Sequence, residues 1–75
     1  MQKIGLAIRY LRNEKGWSQV RLAQLSGVDV STICTLEKEH RTPTVESLEK
    51  IARALKVSLS SIFRISERIE DGTLF

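Results

Sequence analysis

Cysteine, proline and histidine each occur once in this chain of 75 residues. A lone Cys34 leaves no disulfide within the chain, and Cys34 with His40 falls short of the four ligands that a structural zinc site requires. No apolar run approaches the roughly 18 residues of a membrane span. The opening MQKIGLAIRY also lacks the continuous apolar core of a signal peptide, so a cytoplasmic location is expected. A chain of this size forms one domain, and without disulfides or metal its stability must come from apolar packing, helped by association with a partner. No His, Cys and carboxylate grouping suggests a triad, and there is no glycine-rich phosphate loop. An enzyme is therefore not expected, nor a cofactor, metal or small-molecule ligand.

Charge is present but unevenly spread. From Ser66 onward Arg68 stands against Glu67, Glu70 and Asp71, so of 12 basic and 9 acidic residues, residues 1–65 hold 11 and 6, a net of +5. That balance favours a polyanionic partner without proving one, because many solvated helices are equally basic.

What the chain has in abundance is helix-start signals. Four times a polar turn former is followed four positions later by a core-type aliphatic: Ser18 and Leu22, Asp29 and Ile33, Thr44 and Leu48, Ser58 and Ile62. Each polar residue suits an N-cap, whose side-chain oxygen accepts from the free N–H groups of the first turn. Trp17, Val28 and Val57 precede three of these caps and can staple onto the fourth helical residue, a core role for Trp17 rather than one in base stacking. Upstream, Ile4, Ile8 and Leu11 define a further amphipathic helix that stops near Gly16. Five helices are predicted, over Lys3 to Lys15, Gln19 to Ser26, Val30 to Lys38, Val45 to Leu55, and Leu59 to about Ile69. No segment shows the alternation of a strand, and Pro43 lies in the one loop-like stretch. Only Gly27, Val28 and Asp29 join the second and third helices, which must meet at a steep angle.

The third helix has an unusual outer face. Ile33 and Leu36 form its apolar stripe, yet the other side carries Val30, Ser31, Cys34 and Thr35 in place of solvated Lys and Glu. Small uncharged side chains suit either packing against another protein or entry into a DNA groove. Cys34 beside Lys38 could serve as a redox switch or be simply a small side chain. His40 could donate to a phosphate or be an exposed loop residue.

The stretch SQVRLAQLSGVDVSTICTLEKEHRTPTVESLEKIARALKVS resembles the helix-turn-helix domain of phage Cro and CI repressors and the wider xenobiotic-response-element family of bacterial regulators. The resemblance rests on Gln19 after a Ser cap, Leu22 with Ala23, Gly27 in the turn, and Ile33, Leu36 and Glu37 in the next helix. Pro43 and the Ala54, Leu55, Val57, Ser58 pattern extend it, so that it covers roughly Ile4 to Phe63. It implies an all-α, five-helix lambda-repressor-like fold whose helix-turn-helix is formed by helices 2 and 3. Helix 3 would lie in the major groove of double-stranded DNA. Position by position, Val30, Ser31 and Thr35 match the main base-contacting places, with Asp29 at the cap and Lys38 at the far end close by. Ser18, Gln19, Arg41 and Thr44 match contacts to the phosphate backbone. Arg21 stands where the family often has an acidic residue, and a cation in a first turn opposes the helix dipole, so a phosphate contact would explain it. Arg12 and Glu37 match a partly buried salt bridge that fixes helix 3 against helix 1.

Family members of this length generally act as homodimers on inverted repeats. Residues 1–65 are then the DNA-binding domain, and residues 66–75 the end of helix 5 and a tail that supply a dimer seam through Ile65, Ile69, Leu74 and Phe75. Chains of this size resemble phage Cro-type repressors and the controller proteins of restriction-modification systems, and the sequence does not separate the two. The competing class is an antitoxin or other protein-interaction module built on the same fold, using the side of helix 1 around Leu6 and Tyr10. Two residues depart from the pattern: Glu39 and Lys56 sit where Gly is common, and each must either accept a left-handed backbone or end its helix another way.

Overall fold

The computed structural model describes residues 3–73, which form five helices: α1 (Ile4–Glu14), α2 (Gln19–Ser26), α3 (Val30–Glu37), α4 (Val45–Leu55) and α5 (Leu59–Glu70). The spans agree with the sequence expectation to within a residue at each end. Lys3, Lys15 and Lys38 fall just outside their helices as flanking residues, and α5 runs one residue past Ile69.

Three caps form as their residue types dictate. The hydroxyls of Ser18, Thr44 and Ser58 accept from the amides of Arg21, Ser47 and Ser61 at 3.0, 3.1 and 3.1 Å. Asp29 departs from expectation: it occupies the cap position of α3, but its carboxylate makes no capping hydrogen bond. The turn before it is closed instead from the other side, where Ser26 Oγ accepts from the Val28 amide at 3.2 Å.

The helix ends follow one scheme. In α1, α3, α4 and α5 paired bonds from the two residues after the last turn close a Schellman motif, with Gly16, Glu39, Lys56 and Gly72 in the left-handed position. Glu39 (φ 62°) and Lys56 (φ 60°) therefore accept the strained conformation. Gly27 (φ 77°) ends α2 with a single bond from its amide to the Ala23 carbonyl.

Ile8, Leu22, Ile33, Leu36, Ile51, Leu55 and Ile62 are fully buried, and each contributes roughly 1.5–3 kcal/mol of burial. Trp17 and Val57 pack half-buried against this core, as stapling residues should, while Val28 is buried within it. Helix α1 lies against α5 and α3, and α2 lies against α4 and α3. Thus α3 is backed by α1 and α2, which leaves its opposite face free to meet another molecule. Among the described residues no helix is long and apolar enough to cross a membrane.

Candidate nucleic-acid interface

At about 100° per residue, Val30, Ser31, Cys34 and Thr35 project along one arc of α3, opposite Ile33 and Leu36, and Lys38 follows just past the helix end. Val30, Ser31 and Lys38 are exposed, while Cys34 and Thr35 are half-buried. The Thr35 hydroxyl donates to the Ser31 carbonyl one turn back at 2.8 Å. Its proton is thereby committed, so the hydroxyl oxygen is left with the role of acceptor. Val30, 42% exposed, presents an isopropyl group at the head of the helix.

Behind this face lies a buried polar cluster that ties three helices together. Arg12 of α1 forms a two-pronged salt bridge with Glu37 of α3, Nε to Oε2 at 2.8 Å and Nη2 to Oε1 at 2.9 Å. Its third nitrogen, Nη1, donates to the Trp17 carbonyl at 2.7 Å. Glu37 Oε1 also accepts from Gln19 Nε2 of α2 at 3.1 Å. The side chains of Arg12 and Glu37 are only 11% and 3% exposed, and among the described residues no buried side-chain polar atom lacks a partner. The hydrogen bond to Glu37 raises the Arg12 pKa above its ordinary value, against the opposing effect of burial and with help from the Glu37 charge. The expected Arg12–Glu37 bridge is present, and Gln19 joins it. An amide turned inward onto Glu37 was not legible in the sequence, because Gln19 and Glu37 are brought together only by the crossing of α2 and α3.

Ser18 and Thr44 head α2 and α4, where unpaired first-turn N–H groups and the helix dipole favour an anion. Arg21 and Arg41 are exposed, as is Asp29 at the head of α3. Lys15 lies over the Trp17 ring, its Nζ 5.4 Å from the centroid, within range of a cation–π contact. On α5, Ile65 and Ile69 are half-buried against the core, while Leu74 and Phe75 lie outside the described residues.

One structural residue carried no signal beyond an isolated glycine inside a helical pattern. Gly5, buried in the first turn of α1, packs its bare backbone against the Leu36 carbonyl near the end of α3, and a Cβ there would run into that carbonyl group.

Two helices joined by three residues, the first capped by Ser18 and the second with an outer face of small side chains, can present hydrogen-bonding and methyl groups to base edges and offer cationic and N–H groups to phosphates. Among the described residues no group of three or more His, Cys, Asp or Glu is placed to hold a metal.

Comparison with known proteins agrees with this geometry. A helix-turn-helix family model matches residues 8–62. The competence pilus inhibition repressor of Acinetobacter baylyi is 37% identical over 68 residues, covering 91% of this chain and 62% of the relative. The transcriptional regulator SinR of Bacillus licheniformis is 36% identical over 73 residues, covering 95% and 66%. The chain thus spans less than two thirds of the length of these curated relatives. Solved structures are matched more fully. The restriction-modification controller protein C.AhdI of Aeromonas hydrophila superposes with a TM-score of 0.78 at 38% identity, over 81% of this chain and 92% of that one. The controller C.Esp1396I superposes with a TM-score of 0.81 at 34% identity, over 93% and 92%. The chain belongs to the helix-turn-helix family of DNA-binding transcriptional regulators, of the Cro/CI type.

Proposed function

We propose that this chain is a sequence-specific regulator, a repressor or autoregulatory controller, that binds a palindromic operator as a homodimer with α3 in the major groove. The observation that carries this reading is the outer face of α3. Its residues are too small to hold the helix away from the bases, and α3 is fixed from behind by the Arg12–Glu37–Gln19 cluster. Val30 suits a thymine methyl, Ser31 donates or accepts, and Thr35 offers an acceptor and a methyl. Lys38 and Asp29 flank them. None of Val30, Ser31 and Thr35 supplies the bidentate fork that Arg gives to guanine, so discrimination per base pair is modest and DNA shape supplements it. Ser18, Gln19, Arg21, Arg41 and Thr44 contact the phosphates and set the register. Gln19 does so with the part of its amide not bound to Glu37. Residues 1–65 act as the reading domain, and residues 66–75 complete the dimer seam with Ile65 and Ile69. The names of the relatives, which are repressors, transcriptional regulators and restriction-modification controllers, support the same role.

The test is selection of random duplex DNA by the purified protein at moderate salt, followed by sequencing of the retained pool. A two-fold symmetric motif with half-sites about one helical turn apart is the expected result. A pool without enrichment would overturn sequence-specific binding and favour a module that docks on another protein.

A further inference from the structure

The end of α3 rests on the start of α1 with no side chain between them. A Cβ on Gly5 would overlap the Leu36 carbonyl oxygen, lie 2.8 Å from the Leu36 carbonyl carbon, and approach Glu39 Oε2 to 3.1 Å. The first two neighbours are backbone, and that backbone is committed: the Leu36 carbonyl accepts from the Glu39 amide at 3.0 Å in the turn that closes α3. It cannot swing aside without opening that turn. We infer that Gly5 is a positioning residue for DNA recognition, its bare backbone forming the seat that sets the tilt of α3 and hence the reach of Val30, Ser31 and Thr35 toward the bases.

The inference rests on the proposed DNA-reading role of α3 and adds a residue that touches no DNA. The Arg12–Glu37 bridge holds the last turn of α3 from one side. Gly5 holds the same turn at the backbone, one residue away at Leu36. With the bridge as pivot, a methyl group at Gly5 displaces the end of the helix and tilts its outer face, while the phosphate contacts from α2 and α4 stay in place. Specific affinity should fall and non-specific affinity should not.

Gly5→Ala is compared with Gly16→Ala. Gly16 has a φ of 71° and nothing within 4 Å of an added Cβ, so its substitution strains the backbone without touching α3. Two readouts are taken well below the melting temperature of each variant. One is the ratio of affinities for the selected operator and for an unrelated duplex, and the other is the set of amide chemical shifts of Val30 to Glu37 in the free protein. Gly5→Ala is expected to lower the ratio about tenfold, the size of one lost base contact, with non-specific affinity unchanged and the α3 amides shifted. Gly16→Ala lowers the melting temperature but leaves both readouts at wild-type values. Wild-type discrimination or unshifted α3 amides in Gly5→Ala, or an equal loss in Gly16→Ala, would overturn the inference. A wild-type chain that fails to discriminate between duplexes refutes the DNA reading instead, and the amide shifts then decide the seat alone. If Gly5→Ala does not fold, nuclear Overhauser contacts between the Gly5 α-protons and Leu36 in the wild-type chain decide it, and their absence overturns it.

Discussion

Glu37 is an acidic residue buried on the inner side of α3, and that is tolerated only because Arg12 and Gln19 meet both of its oxygens. Removing one partner of such a pair leaves a buried charge uncompensated. Arg12→Ala is therefore expected to cost about 3–5 kcal/mol in urea unfolding, whereas the double substitution Arg12→Met with Glu37→Met, which removes both charges at similar volume, should recover most of that loss. The two results separate stability from orientation, because the double variant should still lose operator discrimination: Gln19 loses its partner Glu37, and the Trp17 carbonyl loses its donor Arg12. A double variant as unstable as Arg12→Ala would contradict this account. The sign of the pH dependence follows from the raised Arg12 pKa. A group bound more tightly to its proton in the folded state contributes its stability in full below the unfolded pKa, and that contribution is lost only as pH rises through the folded value. For a guanidinium this window lies above the ordinary arginine range, so the bridge does not weaken anywhere near neutral pH. At this scale the sequence was read well in one respect and incompletely in another. The Arg12–Glu37 pairing was legible through the family resemblance. The inward turn of Gln19 and the commitment of the Thr35 proton to Ser31 depend on local geometry that residue types leave open.

The helices themselves were legible almost to the residue, because caps and apolar spacing are local properties of the chain. Cap chemistry was less so, since a side chain of the right type in the right place need not point at the amide. The four expected caps accordingly divide. Ser18→Ala, Thr44→Ala and Ser58→Ala should each lower stability by about 1 kcal/mol, while Asp29→Ala, which makes no capping bond, should change it by less than half of that. Thermal unfolding of the four variants checks this, and a loss at Asp29 equal to the others would mean that its carboxylate caps α3 in solution. The C-terminal ends divide too. Glu39 and Lys56 sit in left-handed conformations that glycine occupies without strain, so Glu39→Gly and Lys56→Gly should each gain about 0.5–1 kcal/mol, net of the greater freedom glycine brings to the unfolded chain. Because they end different helices, their effects should add. The seat at Gly5 illustrates the limit of local reading. Nothing within α1 requires a glycine there, and only the approach of α3 from a position far along the chain does.

Under the proposed function a domain this small reads a short half-site, and the energetics of recognition favour joining two copies on one duplex. The molecule offers a candidate seam on α5. Ile62 is fully spent in the core, but Ile65 and Ile69, further along the same stripe, are only half-covered by it. Around them the chain turns acidic at Glu67, Glu70 and Asp71, a sign that suits a surface turned away from phosphates and away from Arg21, Lys38 and Arg41. Under the proposed two-fold assembly, placing a charge in the middle of the seam should separate the protomers at little cost to the fold, because Ile69 is peripheral to the core. Ile69→Glu combined with deletion of Leu74 and Phe75 is therefore expected to give a folded monomer by light scattering. Its operator affinity should fall steeply, toward that of a single half-site, while affinity per half-site stays constant. Persistence of a dimer in this variant would move the interface to another face. The cleft along α1 lined by Leu6, Arg9, Tyr10, Asn13 and Glu14 would then be the next surface to alter. The distinction has a mechanistic consequence. A seam on α5 couples the two copies of α3 through α1, against which α5 packs, so the same helix that seats α3 at Gly5 would also set the spacing between half-sites.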